Sequence, residues 1–391
     1  MTLADLQQLE SRYVMPTYAR APVEFVRGEG TRLWDADGRE YLDFFAGLSV
    51  HNAGHCHPAI VKAITEQTGQ LAGVSNLYYT APAMRLAERL VESSLGGKVF
   101  LCNSGLEANE CALKLARKHA HRRGIAEPEI VVLDRAFHGR SIATLAATPR
   151  LARDDLFGAL PAGFAPVPPD DPDALREAVG ERTAAVLLEP VQGEAGVFPI
   201  ADDVIVAARE ACDEVGALLV FDEIQTRMGR TGSLWAYEQL PARPDVMTAA
   251  KALGGGLPVG ACVTGPEVGD VFEIGDHGST FAGAPIAAAA ALAALEVIDD
   301  PGLLRRAREL GGRFMAALGE IDAVAEVRGR GLMVGVTLAE GVDAAAVARR
   351  ALDGGLVINV PGPDMLRFLP PLVIGEDEVE TAVRVLRDVL V

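Results

Sequence analysis

The stretch "ALLVFDEIQT", residues 217–226, runs from Ala217 to Phe221 without a polar group and then presents Asp222, Glu223 and Gln225. Such an uninterrupted apolar run reads as a strand buried on both faces, which is the habit of parallel sheets. The segment before it, "DDVIVAAREACDEVG" (202–216), has helical patterning. Working outward, "KVFLCNSG" (98–105), "EIVVLDRAFHG" (129–139), "AAVLLEPVQGEAG" (184–196) and "PVGACVTG" (258–265) read as further strands, with a helical pattern through "EANECALKLARKHAHRRG". Strands alternating with helices predict an α/β architecture around a mainly parallel sheet covered on both faces. Polar residues cluster just past the strand ends: Asn103 and Ser104, His138 and Arg140, Glu189 and Glu194, Asp222 and Gln225. In open α/β sheets ligands bind there.

The two ends of the chain differ from this middle. "VEFVRGEGTRLWDADGREYLDFFAG" (23–47) alternates like hairpin strands around Gly and Asp-Gly turns. The region from about 300 to 391 mixes helices with short strands such as "GLMVGVTL", "GLVINV" and "MLRFLPPLVI". We expect a smaller α+β domain built from residues 1–55 and 296–391 beside a large domain of residues 56–295. A chain of 391 residues is too long for one small core.

Composition narrows the function. Hydrophobic residues make up 49% and charged residues 23%, an ordinary globular balance. The formal net charge of −18 argues against non-specific binding of nucleic-acid backbone. Five cysteines, at 56, 102, 111, 212 and 262, are scattered without a C-x-x-C, so neither a disulfide framework nor a zinc ribbon is expected, and a reducing cytoplasm is. "MTLADLQQLESRYVMP" (1–16) lacks the apolar core of a signal peptide. The apolar run "APIAAAAALAALEVI" (284–298) is short of a membrane span and reads as a buried helix. His55 and His57 flank Cys56 in "GHCHP", but adjacent ligands without a second cluster are poor zinc evidence, and no metal is expected. His119 and His121 lie in a charged helix and are expected to be solvated.

Three features carry chemistry. "NSGLEAN" (103–109) joins a strand to a helix, and the free N–H groups of Gly105 and Leu106 suit a phosphate, although an ordinary Ser-Gly turn reads the same way. It has neither the Walker pattern nor G-x-G-x-x-G, and "GRGLMVG" (329–335) is no dinucleotide fingerprint. Asp222, directly after a buried strand, either caps the next turn or meets a cation. Lys251 in "TAAKALGGGLPVGACV" (248–263) has only apolar or turn-forming neighbours; it either reaches water or supplies an amine that sheds its proton easily.

A phosphate cradle, a carboxylate for a ring nitrogen and such a lysine together suit pyridoxal 5′-phosphate. The motifs "NSGLEAN", "FHGRS", "EPVQGE", "FDEIQTRMGRTG", "KALGGGLP" and "HGSTF" occur in the order found in the class-III (subgroup II) aminotransferases of fold type I, and the resemblance runs from "GHCHP" (54–58) to "RFLPPLVI" (367–374). It implies a seven-stranded large-domain sheet and assigns roles. Lys251 links covalently to the cofactor aldehyde and moves the substrate proton, while Asp222 keeps the pyridine nitrogen protonated. Gln225 lies near the phenolic oxygen, Phe137 stacks on the ring and His138 sits beside it. Ser104, Gly105 and Leu106 hold the phosphate, joined by Thr280 from a second subunit, so a homodimer with shared sites is implied. Arg140 takes a substrate carboxylate as a planar fork. Glu194 and Arg367 form a gate that serves two unlike substrates in a ping-pong cycle, and Glu189 supports the site.

The sequence departs from the family wording at Leu106, where a hydroxyl residue is common, at Arg227, where glycine is frequent, and in "STFAGAP" (279–285). "CNSGLEAN" and "EPVQGE" look most like the enzymes that move the δ-amino group of N2-acetylornithine to 2-oxoglutarate in arginine biosynthesis. Leu48 stands where ornithine enzymes usually carry tyrosine, and "SVHNAGHCHP" (49–58) leans towards 4-aminobutyrate relatives. Ornithine, succinylornithine, N-succinyl-diaminopimelate and 4-aminobutyrate remain alternative donors. Glutamate-semialdehyde aminomutase chemistry and a non-catalytic binding protein are the readings from other classes.

Overall fold

A computed structural model describes residues 1–152 and 156–390. Val391, the last residue of the expected 296–391 segment, lies outside them. The central sheet has seven strands, in spatial order Val99–Cys102, Gly260–Thr264, Val246–Ala249, Leu218–Asp222, Thr183–Leu188, Glu129–Leu133 and Phe164–Val167. Only Gly260–Thr264 runs antiparallel to its neighbours. The other adjacent pairs are parallel.

Every residue of Thr183–Leu188 and Leu218–Asp222 is buried, as the apolar runs required. Helix Gly105–Arg122 turns Cys111, Ala112, Leu115 and Ala116 onto one face of the sheet. Helix Asp202–Val215 lays Val204, Ile205, Ala208 and Cys212 on the other. Gly216, at φ 69°, ends that helix in the left-handed region and lets the chain turn straight into Leu218. The alanine-rich run forms helix Pro285–Ile298, packed on helices Pro58–Gln70 and Ala81–Glu92.

The chain ends meet in two smaller sheets. Phe25–Glu29, Arg32–Asp35 and Glu40–Asp43 form an antiparallel meander, to which Leu356–Val357 adds in parallel. Val324–Arg330, Met333–Leu338, Met365–Phe368 and Asn359–Gly362 form an antiparallel sheet.

Among the elements that escaped the sequence reading, two lie near the amino end. Residues Leu3–Tyr13 form a helix with a Thr2–Asp5 capping box, although none of its residues is buried. Residues Ala46 to Ser49 wind left-handed, with φ values of 49°, 61°, 70° and 62°. Gly47 adopts this freely, whereas Ala46, Leu48 and Ser49 each cost about 1–2 kcal/mol relative to right-handed winding.

Candidate active site

The strand ends open into a cavity of about 630 Å³ lined by Ser104, Gly105, Leu106, Phe137, His138, Arg140, Glu189, Glu194, Asp222, Gln225 and Lys251. Of the expected site residues, Thr280 and Arg367 are absent from that lining. Thr280 is exposed on the loop before helix 285–298. Arg367 lies behind Glu194, 2% exposed.

Asp222 ends its strand 3% exposed, so its charge must be met by donors. Oδ2 accepts from Asn109 Nδ2 at 2.8 Å and from His138 Nδ1 at 2.7 Å, and Oδ1 accepts the Ile224 N–H at 3.0 Å. Asn109 also donates to the His138 carbonyl and accepts from Thr248 Oγ1 at 2.7 Å. Asn109 and Thr248 thus fix the carboxylate's orientation. Asn109 stood in a quoted motif, four residues after the helix begins at Gly105 and so facing the sheet. Thr248 gave no signal of its own.

Ser104 caps helix 105–122, its Oγ accepting the Glu107 N–H at 3.2 Å. The first-turn N–H groups of this helix have no intrahelical acceptors and its dipole is positive there. A Cβ at Gly105 would lie 2.6 Å from Ile224 Cδ1, so glycine lets the helix start close beneath the Asp222 loop.

Lys251 leaves strand 246–249 at φ 48°. Burial, opposed by Glu194 and Asp222 and reinforced by Arg367, brings its amine from 10.5 down to about 8. Phe137 donates its N–H to Glu189 Oε1 at 2.9 Å, and the exposed Arg140 guanidinium lies 5.3 Å from the Phe137 ring centre. Burial raises the Glu189 carboxyl to about 7, with His138 opposing.

Arg367 is held from every side. Nε and Nη2 donate to Asn359 Oδ1 at 3.0 and 2.7 Å, and Nη1 reaches the Gly193 carbonyl at 2.8 Å and Glu194 Oε1 at 2.7 Å. Gln225 sits between them, accepting from Arg367 and donating to Glu194 Oε1. Burial alone would raise the Glu194 carboxyl; Arg367, then Lys251, outweigh it and bring it to about 2. Asn359 was missed, although an asparagine within "GLVINV" was the available signal.

Other expectations resolve differently. His55 Nε2 pairs with Asp43 Oδ2 at 2.6 Å, and His57 Nδ1 accepts the Ala59 N–H at the start of helix 58–70. His121 is exposed, but His119 is partly buried, and that burial lowers its pKa; the solvated reading holds for His121 alone. Arg227 is wholly buried, its guanidinium 5.9 Å from the Trp235 ring centre. The left-handed φ values fall on Met228 and Gly229, so residue 227 needs no glycine.

These parts suit the cofactor that the resemblance implies: open N–H donors for a phosphate, a buried carboxylate for a ring cation and an amine of lowered pKa within one cavity. The comparisons define the class. The family described as Aminotransferase class-III matches residues 13–390, and the chain belongs to it, a family of transaminases on the pyridoxal-phosphate-dependent fold type I. The acetylornithine aminotransferase of Methanocaldococcus jannaschii is 44% identical over 386 residues, covering 97% of this chain and 96% of its own. That of Gloeobacter violaceus is 47% identical over 390 residues, covering 98% and 97%. Among solved structures, the ornithine aminotransferase from Toxoplasma gondii superposes with a TM-score of 0.95 at 34% identity, covering 100% of this chain and 95% of that one. The N-acetylornithine aminotransferase from Stenotrophomonas maltophilia gives 0.84 at 38% identity, covering 98% and 97%.

Proposed function

We propose that this chain is a pyridoxal-phosphate-dependent transaminase that moves the terminal amino group of N2-acetylornithine to 2-oxoglutarate, in arginine biosynthesis and in the cytoplasm. The observation that carries this reading is the Glu194–Arg367 pair beside the Lys251 cavity. The donor follows the motif wording and the names of the relatives. When bound, pyridoxal phosphate supplies an aldehyde for the amino group and a cationic ring that stores electrons as a carbon–hydrogen bond breaks.

The chain's residues do the rest. The Gly105 and Leu106 N–H groups and Ser104 bind the phosphate, and Phe137 packs on the ring. Asp222, oriented by Asn109 and His138, keeps a proton on the ring nitrogen. Lys251 takes the proton from the carbon that bears the departing amine; an amine of pKa about 8 is about one-tenth neutral at pH 7. Arg140 at the cavity mouth takes the donor's α-carboxylate. While Glu194 neutralises Arg367, the pocket accepts a neutral acetylated tail. A second carboxylate, on 2-oxoglutarate or glutamate, displaces Glu194 and takes its place on Arg367. A second copy of the chain contributes Thr280 to the phosphate.

The test is a half-reaction panel. Purified chain is mixed separately with N2-acetylornithine, ornithine, succinylornithine and 4-aminobutyrate, and conversion to the amine form of the cofactor is followed by absorbance. N2-acetylornithine is expected to give the highest kcat/KM. A higher value for 4-aminobutyrate overturns the donor, and turnover without 2-oxoglutarate overturns the transaminase reading in favour of an isomerase.

A further inference from the structure

Arg230 is fully buried and, among the described residues, has no carboxylate partner within ion-pair distance, an unusual placement for a guanidinium. Its donors go instead to one wall of the active-site cavity and to the segments around Arg367, which lies behind the lining. On one side Nε donates to Ser49 Oγ at 2.9 Å and Nη2 to Asn52 Oδ1 at 2.6 Å. On the other, Nη1 donates to the carbonyls of Leu332 at 2.9 Å and Pro370 at 2.7 Å.

The first side is the left-handed run 46–49. Leu48 and, just beyond the run, Val50 line the cavity. Asp43 Oδ1 holds the start of the run through the N–H groups of Phe45 and Ala46. Its far end hangs on Ser49, which also donates to Asn52 Oδ1. The second side carries Arg367, behind the lining and three residues before Pro370, on the strand that pairs with Met333–Leu338. Backbone in the left-handed region persists only where its surroundings over-determine it. Arg230 ties the end of this one to the Leu332 and Pro370 carbonyls, beside the backbone bonds from the Leu369 N–H to the Phe44 carbonyl at 2.7 Å and from the Leu372 N–H to the Asn52 carbonyl at 2.8 Å that hold its flanks.

We propose that Arg230 is a positioning residue that sets the distance between the Leu48–Val50 wall and Arg367, and so governs which amino donor the cavity accepts. This rests on the transaminase reading above. Lysine cannot replace it, because one ammonium lacks the planar fork that reaches both sides.

The experiment uses the full-length chain loaded with pyridoxal phosphate, carrying Ser49→Ala, Arg230→Lys or both, assayed with N2-acetylornithine and 4-aminobutyrate against 2-oxoglutarate. Ser49→Ala is expected to raise KM for N2-acetylornithine about tenfold with kcat and the cofactor spectrum little changed, since a displaced wall removes binding felt equally by the bound donor and its transition state. Discrimination between the donors narrows by a similar factor. The double variant is no worse than Arg230→Lys alone, because both changes break one link. An unchanged donor ratio in Ser49→Ala, or fully additive effects, overturns the proposal. Should Arg230→Lys not fold, Ser49→Ala alone decides. A wild-type chain inactive with every donor refutes the transaminase reading; a crystal structure of Ser49→Ala then decides the anchoring, which is overturned if residues 46–49 keep their winding and their distance from Arg367.

Discussion

Lys251 shows how one side chain's surroundings select its chemistry. Burial disfavours the ammonium, Glu194 and Asp222 favour it, and Arg367 disfavours it, leaving the amine near 8. A group with a lowered pKa becomes neutral as pH rises through that value. Covalent capture of pyridoxal phosphate by the cofactor-free chain should therefore speed up about tenfold or more from pH 6.5 to 8 and level off above 9. Removing the charge at Glu194 leaves Arg367 unopposed, so Glu194→Gln should move the midpoint to lower pH. Stopped-flow absorbance across pH 6–10 checks both, and a midpoint that stays put or rises contradicts the assignment. The bare residues around Lys251 left two readings open, solvent or site; three charged groups that converge from residues 194, 222 and 367 could not be placed beside it from local spacing.

At the scale of an element, the start of helix 105–122 brings Ser104, Gly105 and Leu106 to the cavity. Leu106 offers its backbone N–H but no hydroxyl. A hydrogen bond to a charged group contributes about 1.5–3 kcal/mol, and part of that is offset by ordering the new side chain. We expect Leu106→Thr to lower the cofactor dissociation constant about tenfold, measured by equilibrium dialysis; equal constants reject the expectation. Elements whose burial is complete were legible. Strands 183–188 and 218–222 advertise themselves because both faces are covered. Phe164–Val167 was missed because it is a short edge strand that contains Pro166 and buries only Val167 fully. Val246–Ala249 was missed because four residues, one of them Thr248, make too short an apolar run. Helix 3–13 has no core-facing stripe to reveal it. The run 46–49 was invisible because Ala46, Leu48 and Ser49 have no local preference for left-handed winding.

For the whole molecule, exposed Leu77, Tyr78, Tyr79 and Phe281 lie on two loops that Asn76 joins by donating its side-chain N–H to the Ser279 carbonyl at 2.6 Å. Large apolar side chains grouped like this suit a contact with another chain. Thr280 lies beside Phe281, and its neighbour Ser279 is tied to the start of helix 105–122 in its own chain through Asn103 and Glu107. If Thr280 serves the partner's cofactor, mixed dimers test it. Lys251→Ala and Thr280→Ala chains, each impaired alone, should regain activity when co-refolded, because one site of the hybrid then has both groups intact. Activity no greater than the average of the two parents rejects a shared site. The motif order made the chemistry legible, since every motif but "HGSTF" sits at or just past a strand end and the sheet gathers strand ends. The junction around Arg230 was not, because it depends on residues brought together from both ends of the chain.

That junction also bears on the order in which the protein acquires its shape. Ser49 must wait for Arg230, 181 residues later, and Arg230 for the carbonyl of Pro370, another 140 residues on. During synthesis the chain emerges from the ribosome amino end first, and contacts this distant form slowly. The strands of the central sheet, the last of which ends at Thr264, are thus all synthesised before residue 370 is available to complete the link from the run 46–49 through Arg230.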